Sequence, residues 1–314
     1  MNVLVIGATG DVGSEAAKAA VAKGHTVAAL VRPSSNTNKL GDARQHIRLI
    51  EGDILEPLSL ERAIANNDAI MISIRLTPGE MKKNRTYRDV EQHGVENIVA
   101  AATKASVKKL VFVSAAGVGP TCVSDMYQAK YAAEEAIRKS GIDHTIFRPS
   151  GMFKDFDFFH IPTVLKLGAT NRWPYGPIDI HMNPLSHLDL ATCMVLALDN
   201  PRAAFLTLEI GGPDCITQGE LLNMIARIAG IQATYTEGVS KEQLIAMVRA
   251  NPQQGFFTAE QLEDFIVDKM IDHKPVYELF GIPFQTVKAY LQETVPRIKA
   301  ALNHHPQQFD KTPA

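Results

Sequence analysis

A chain of 314 residues with 46% hydrophobic and 21% charged residues can bury the core of one large α/β domain, or of a large domain with a smaller lobe. Its formal net charge of -2 offers no general attraction to nucleic acids or to acidic membranes, so we expect neither as a partner. The cysteines are sparse and far apart, which predicts no metal site and favours a reducing cytoplasm over a disulfide framework. We find no apolar run long enough to span a bilayer and no signal peptide, and therefore expect a cytoplasmic protein.

The first half of the chain alternates short apolar runs with helical stretches. Six strands rich in Val, Leu and Ile are predicted, at NVLVIG, HTVAALV, IRLIEGD, DAIMISI, KKLVFVSA and DHTIFRP. The Ala-rich helix after the first strand ends at Lys23 and Gly24, and a long helix is predicted from about Tyr87 to Ala105. This alternation predicts a parallel sheet with helices on both faces.

The alternation loosens after Pro149, where an aromatic and proline-containing stretch begins. NPLSHLDLATCMVLALDN predicts a helix and FLTLEIGG one more strand. TQGELLNMIARIAG predicts a helix with a Thr-x-x-Glu cap and a glycine stop. Further helices are expected near residues 240–250, 258–272 and 284–302, followed by a polar, frayed tail at 304–314.

The strongest motif is GATGDVG, which places Gly7, Gly10 and Gly13 between the first strand and its helix. In this context one glycine permits the tight turn, one lets the backbone approach a pyrophosphate, and one lets the helix pack closely on the strand. The N–H groups at the start of the helix would then bind the phosphates. The alternative is a tight strand–helix turn that binds no ligand.

Two features after the next strands refine this interpretation. Arg32 follows the second strand, where a dinucleotide site for NAD usually has an acid, and an arginine there suits a 2′-phosphate instead. Lys39 could add a second cation, although both residues could simply be solvated surface charges. Asp53 ends the third strand, where a carboxylate can accept the adenine amino group or can cap the next helix.

Six segments, GATGDVG, ALVRPSS, GDILEP, KKLVFVSAAGVG, KYAAEEAI and FRPSGMF, together resemble an atypical short-chain dehydrogenase/reductase of the NmrA-like, NAD(P)-binding kind. The resemblance covers residues 1–230. The later segments FFTAEQLEDFIVDKM and LFGIPFQTVKAYL are similar to the branch that contains the Rossmann-fold accessory subunit of respiratory complex I.

The resemblance implies a Rossmann-type doubly wound parallel sheet with a small, mostly helical C-terminal substrate lobe. The NAD(P)-binding domain would span residues 1–150 with a returning segment at about 178–212, and the lobe would comprise 151–177 and 213–303. The implied cofactor is NADP, with NADPH preferred over NADH because of Arg32. The predicted cofactor-binding residues are Gly7, Thr9, Gly10, Asp11, Val12, Gly13, Arg32, Lys39, Asp53, Ile54, Ser73, Ile74, Arg75, Ser114, Lys130, Pro149 and Ser150.

The helix MYQAKYAAEEAI carries the residues expected to react. Related reductases use a tyrosine four residues before a lysine, whose charge lowers the pKa of the tyrosine. Here Met126 holds that position, and Ala115 stands where the family has a serine. Tyr127 lies only three residues before Lys130, about 60° round the helix from it, so it would not present its hydroxyl where the family's tyrosine does.

Lys130 therefore has three interpretations: a ribose ligand, a ribose ligand that also donates a proton, or a solvated lysine paired with Glu134. Tyr127 is retained beside Lys130 as a catalytic candidate, although packing is the more ordinary role for it. The predicted substrate pocket consists of Met126, Met152, Phe153 and Phe156, and its alternative is apolar core. His187 opens a predicted helix, where a capping role is more ordinary than catalysis.

The sequence predicts an NADPH-dependent oxidoreductase that reduces a quinone-like or activated carbonyl substrate, as a monomer or homodimer. The absence of the serine and tyrosine from their usual positions leaves open a protein that binds NADP(H) without turning it over, as a redox sensor or a scaffold. A sugar-nucleotide epimerase is less consistent, because that chemistry depends on the missing tyrosine.

Overall fold

A computed structural model describes residues 1–33, 35–252 and 257–304 of the chain. The tail that the sequence predicts to fray lies outside these residues from 305 on. In their described parts, two compact units are formed by Met1–Pro149 with His187–Ile210 and Lys274–Ile282, and by Ser150–Ser186 with Gly211–His273 and the residues from Pro283 on. Within the described ranges, no helix combines the length and apolar character needed to cross a bilayer.

The strands of the described residues are β1 (Asn2–Ile6), β2 (Thr26–Val31), β3 (Ile47–Glu51), β4 (Ala69–Ile72), β5 (Lys109–Val113), β6 (Asp143–Pro149), β7 (Arg172–Trp173), β8 (His181–Met182), β9 (Leu206–Ile210), β10 (Ile216–Thr217) and β11 (Thr236–Glu237). Seven of them form the sheet of the first unit in the order β3-β2-β1-β4-β5-β6-β9, and every neighbouring pair is parallel. The predicted parallel sheet is therefore confirmed.

The α-helices of the described residues are α1 (Asp11–Ala22), α2 (Pro57–Ile64), α3 (Pro78–Met81), α4 (Gly94–Lys104), α5 (Asp125–Lys139), α6 (Phe153–Asp155), α7 (Ile161–Leu167), α8 (His187–Asp199), α9 (Gln218–Ala229), α10 (Lys241–Ala250), α11 (Ala259–Phe265), α12 (Lys274–Phe280) and α13 (Val287–His304). The mostly helical C-terminal region is as predicted. Short 3₁₀ segments occupy Asn38–His46 and Pro201–Ala203, and π-helical turns occupy Arg88–His93 and Phe156–His160.

Two predicted helices differ from the structure, and one helix of the structure was not predicted. The long helix expected from Tyr87 begins as the π turn Arg88–His93 and becomes α-helical only at Gly94. The helix expected over 258–272 ends at Phe265. Helix α12 was not predicted, because its seven residues are too few for a periodic apolar pattern and Pro275 stands in its first turn.

Each unit has an apolar core of its own. In the first, β1, β4 and β5 are buried on both faces, and helices α2, α4 and α5 contribute side chains such as Leu60, Ile98 and Ile137. In the second, Phe153, Trp173 and residues of α9 and α13 pack together. Strands buried on both faces read as continuous apolar runs, which is why the sequence located them well.

The carboxyl ends of all seven parallel strands meet at one edge of the sheet. Gly7 follows β1, Arg32 follows β2 and Ser73 follows β4. The strand order reverses between β1 and β4, because β2 and β3 lie on one side of this pair and the later strands on the other. In open α/β sheets, ligands bind in the crevice at such a reversal.

Candidate functional site

The turn after β1 is built from glycines that the chain's own packing requires. Gly7 has a left-handed φ of 92°, and a Cβ there would overlap the carbonyl oxygen of Ser73. A Cβ on Gly13 would overlap the carbonyl oxygen of Gly7, so α1 can approach β1 only without one. The Gly10 amide donates to the Gly7 carbonyl oxygen at 2.9 Å and closes the turn. Two of the three glycines therefore have structural reasons that hold with or without a ligand.

Gly10 differs from the other two glycines. Its backbone is extended, with φ -82° and ψ 172°, which any residue can adopt. Among the described atoms, a Cβ there would meet only the Gly7 carbonyl oxygen within 4 Å, at 3.3 Å. It is the N-cap of α1, and no side chain of the described residues caps that helix. A backbone open on this side, next to an uncapped helix N-terminus, fits the pyrophosphate of a dinucleotide.

Four charged side chains meet after β2, β3 and β4. Glu80, which lies in α3, pairs through Oε1 with Arg32 and through Oε2 with Arg85 Nη1, the latter at 2.5 Å. Arg85 also donates from Nη2 to Asp53 Oδ2 at 2.9 Å. The predicted cation for a 2′-phosphate and the predicted acid for adenine thus belong to one ion-pair network, which we call the Glu80 network.

The charges of the Glu80 network stabilise each other. Burial raises the pKa of Glu80, but the hydrogen bond from Arg85 and the charges of Arg32, Arg85 and Lys83 outweigh it and the pKa is lowered overall. Burial also raises the pKa of Asp53, but the hydrogen bonds from the Leu55 amide and from Arg85 outweigh it, so the pKa is lowered overall. Asp53 accepts from the Leu55 amide at 3.0 Å, whereas the N-cap of α2 is Glu56, so the simple capping role considered for Asp53 is wrong.

The other predicted residues around the turn have ordinary neighbours. Lys39 pairs with Asp11 at 2.7 Å between Nζ and Oδ1, and its side chain is half exposed, so the ion pair does not exclude a solvated surface charge. Ile54 and Ile74 are half-buried and pack against the core of the first unit. The half-buried Thr9 and Val12 lie in the turn and in the first turn of α1, and Arg75 is exposed. Their role as cofactor ligands stays a prediction.

Lys130 is buried and paired, but with a different acid from the one considered. Its Nζ lies 2.7 Å from Oε2 of Glu91, and both side chains are at least nine-tenths buried. Oε1 of Glu91 accepts the backbone N–H of Leu76 at 2.7 Å. The pairing of Lys130 with Glu134 is therefore wrong: Glu134 accepts from Arg148 and Arg138 instead.

The geometry of Glu91 comes from the π turn in which it lies. A π turn widens the helix by one residue and re-aims the side chains within it, and such turns are common at functional sites. Here a fully buried carboxylate ties the segment after β4 to α5, because it holds Leu76 of the former and Lys130 of the latter. A buried ion pair that also accepts a backbone hydrogen bond fixes the position of its lysine.

Glu134 forms a second buried cluster on α5. Its side chain is fully buried, and Arg148 of β6 donates to both of its oxygens, at 2.9 and 2.6 Å. Burial raises the pKa of Glu134, but the hydrogen bonds from Arg148 and Arg138 more than offset this and lower it. This cluster fixes α5 against the sheet, and Lys130 with it.

The remaining predicted residues of α5 and of the segment after β5 are buried or half-buried. Tyr127 exposes only 3% of its surface, and its backbone amide donates to the N-cap Ser124. Met126 is half-buried beside it, Ser114 is buried, and the Ser114 amide donates to the Phe147 carbonyl oxygen at 2.7 Å. The role of Tyr127 as an acid stays a prediction.

Several predicted residues lie in or next to the second unit. Pro149 ends β6 in the first unit, while the Ser150 hydroxyl donates to the Asn183 carbonyl oxygen in the second. The Met152 amide donates to Asp155 at 3.3 Å. Phe153 and Phe156 are buried in the core of the second unit, with ring centroids 5.8 Å apart. This burial matches the core role considered for them, and their role as pocket walls stays a prediction.

Sequence reasoning missed Glu80, Arg85 and Glu91. None lies in a glycine motif or at the carboxyl end of a strand, so no spacing pointed to them. One signal was available for Glu91: a lysine on the buried face of a helix needs a buried counter-ion, although the sequence does not say which acid supplies it.

Comparisons with known proteins bear on the family and the fold of the chain. A family model described as NAD(P)H-binding matches residues 7–201. The photosystem II assembly factor Ycf39 of Synechocystis sp. is 25% identical over 313 residues, which cover 95% of this chain and 92% of that protein. The NADH-ubiquinone oxidoreductase 40 kDa subunit of Neurospora crassa is 27% identical over 229 residues, covering 71% of this chain and 59% of that protein.

Among solved structures, the fold is similar to that of the NADPH-dependent quinone oxidoreductase QOR2 of Escherichia coli, which was crystallised with NADPH. The two share 19% identity and a TM-score of 0.71, with 94% of this chain and 99% of that chain covered. At this identity the likeness is one of fold.

Proposed function

Because this chain belongs to the NAD(P)H-binding family, we propose that it is an oxidoreductase of the atypical short-chain type that binds NADPH and reduces a quinone-like or activated carbonyl substrate. The pyrophosphate would lie against Gly10 and the first N–H groups of α1, and Arg32 would bind the 2′-phosphate. Bound NADPH supplies a hydride. The observation that carries the proposal is the glycine turn, in which Gly10 is open beside the uncapped N-terminus of α1, in a chain that keeps the buried, ion-paired Lys130.

This arrangement restricts the acceptor. Glu91 holds Lys130 in place as a positioned cation on α5. Met126 offers no proton where the related reductases have a phenol, and the Tyr127 side chain is buried. A carbonyl that needs a concerted proton from such a phenol would be reduced slowly. A quinone can accept hydride and take its proton from water afterwards, so it fits this site better.

The test is consumption of NADPH against a panel of quinones, aldehydes and enones. Lys130→Met alone would strand the buried carboxylate of Glu91, so the variant is Lys130→Met combined with Glu91→Gln. We expect turnover of at least one quinone by the natural chain and loss of most of it in the double variant. Lys139→Met is the matched control, because Lys139 is on the same helix with a largely exposed side chain. No turnover of any acceptor despite tight NADPH binding would contradict the proposal.

A second candidate is a protein that binds NADP(H) without turning it over and acts in assembly or redox sensing. The observation that favours it is that Lys130 is paired with the buried Glu91, with Met126 and Ala115 at the tyrosine and serine positions. The Ycf39 protein, which is similar to this chain over nearly the whole of both chains, is an assembly factor. This candidate predicts a partner that co-purifies only in the presence of NADPH, and a double variant that weakens NADPH binding without changing any rate.

A further inference from the structure

The carboxylate of Glu80 is placed by a short, tightly defined helix. The Glu80 amide donates to the Thr77 carbonyl oxygen at 2.9 Å and lies 3.4 Å from the Thr77 hydroxyl, and Pro78 opens the helix. Its neighbours Pro78, Gly79 and Lys82 are exposed, yet the Glu80 side chain is only 5% exposed. A buried carboxylate at the surface end of a sheet is unfavourable unless cations hold it, and here two guanidinium groups do.

The two arginines of the Glu80 network are held unequally. Arg85 donates to two acids, Glu80 and Asp53, and its side chain is 24% exposed. Arg32 pairs with Glu80, and its side chain is 39% exposed. If Arg32 moved to another anion, Glu80 would keep Arg85 at 2.5 Å and Lys83 at 3.5 Å. The network can therefore release Arg32 without leaving Glu80 unpaired.

We propose that the Glu80 carboxylate occupies Arg32 in place of the adenosine 2′-phosphate and so sets the preference of this chain between NADPH and NADH. This inference rests on the proposed dinucleotide binding and deepens it. NADPH binds by displacing Glu80 from Arg32, whereas NADH, with a neutral 2′-hydroxyl, leaves the Arg32–Glu80 pair intact. The cost of breaking the pair falls on NADPH alone.

The balance of charge gives the expected direction. A phosphate monoester carries about -1.5 to -2 charges near pH 7, against one for a carboxylate, so it can take a guanidinium from Glu80. Removing the carboxylate charge removes the competitor and leaves Arg32 free for the phosphate. Glu80→Gln should therefore tighten NADPH binding about tenfold, on the order of one charge-assisted hydrogen bond, and change NADH binding less than about twofold.

The experiment is calorimetric titration of the full chain with NADPH, NADH and 2′,5′-ADP, with the melting temperature of each variant recorded. Glu80→Asp is the second variant. It keeps the negative charge, but its side chain is shorter by one methylene and cannot reach both guanidinium groups. It should tighten NADPH binding less than Glu80→Gln does. Glu278→Gln is the matched control for the loss of one negative charge, since Glu278 is exposed on α12, whose Phe280 packs against Phe147 of β6, four strands from β2. It should leave the ratio of the two affinities unchanged.

Each outcome is decisive. A selective gain for NADPH and 2′,5′-ADP in Glu80→Gln, absent from Glu278→Gln, supports the inference. If NADH still binds but the NADPH:NADH affinity ratio stays constant or falls in both Glu80 variants, Glu80 instead orients Arg32 for the phosphate and the inference fails alone. If neither nucleotide binds the natural chain, the proposed function fails with it.

Discussion

At the scale of single residues, the three glycines of the GATGDVG motif have different structural roles. Gly7 and Gly13 are required by the turn and by the approach of α1 to β1, because a Cβ on either would overlap backbone. Gly10 has an ordinary extended conformation and a nearly open side. A glycine motif therefore combines residues that build the fold with one that leaves room for a ligand.

This division predicts different effects of the same substitution. Gly10→Ala should keep the free energy of unfolding within about 0.5 kcal/mol while weakening NADPH binding, because the new methyl group faces the pyrophosphate side. Gly7→Ala should destabilise the first unit by more than about 2 kcal/mol, through its positive φ and the overlap with Ser73. Urea unfolding and NADPH titration check the pair. Equal loss of stability in both variants would show that Gly10 is structural as well.

The fold was more predictable from the sequence than the site. Buried parallel strands and capped helices leave local patterns. Gly7, Arg32 and Asp53 were found by their position after such strands, and Lys130, which lies within α5, by the family resemblance. The residues that pair with Arg32, Asp53 and Lys130 were not found from the sequence. Glu80, Arg85 and Glu91 lie in short or irregular segments. Their partners Arg32, Asp53 and Lys130 are distant in sequence, so these pairings could be known only from the folded chain.

At the scale of elements, helix ends in the second unit are set by local hydrogen bonds. Helix α9 begins with a reciprocal cap: Thr217 Oγ1 accepts from the Glu220 amide at 3.1 Å, and Glu220 accepts from the Thr217 amide at 2.8 Å. It ends at Gly230, which has a left-handed φ of 74°. Both signals are local, which is why the sequence located this helix.

Loss of the cap should therefore have a local and bounded cost. Thr217→Ala removes the side-chain acceptor and should lower the free energy of unfolding by about 1 kcal/mol. Thr217→Ser keeps the hydroxyl and should lower the free energy of unfolding by only a few tenths of the Thr217→Ala loss. Chemical denaturation of the two variants side by side provides the measurement, and equal stabilities would show that the cap is not used.

At the scale of the whole molecule, the resemblance to atypical short-chain reductases is confirmed by the match of residues 7–201 to the NAD(P)H-binding family. The 40 kDa subunit of NADH-ubiquinone oxidoreductase is among the similar proteins.

The molecule should also be sensitive to acid. The pKa values of Glu80 and Glu134 are lowered in the fold, so the stability they contribute is present above the unfolded value of about 4.3 and is lost as pH falls through the folded one.

His160 extends this sensitivity to milder acid. Burial lowers its pKa from 6.5 to about 4, against the opposing effect of a backbone hydrogen bond to Asp155. Between these values the unfolded chain binds a proton that the folded chain does not, so stability falls as pH drops from about 6.5 towards 4. His160→Gln should flatten the pH dependence of the melting temperature in this window. His46→Gln, at an exposed histidine, should leave the slope unchanged.

The seven-stranded sheet is assembled from pieces far apart in the chain, and this has a consequence for synthesis. Strand β9, which pairs with β6 from Thr145 to Pro149, is some sixty residues later in sequence. Until it emerges from the ribosome, β6 is an apolar edge strand with unpaired amides, the kind of edge that recruits other chains. A fragment that stops before Leu206 should therefore aggregate, and the nascent chain depends on prompt translation through residue 210 to close that edge.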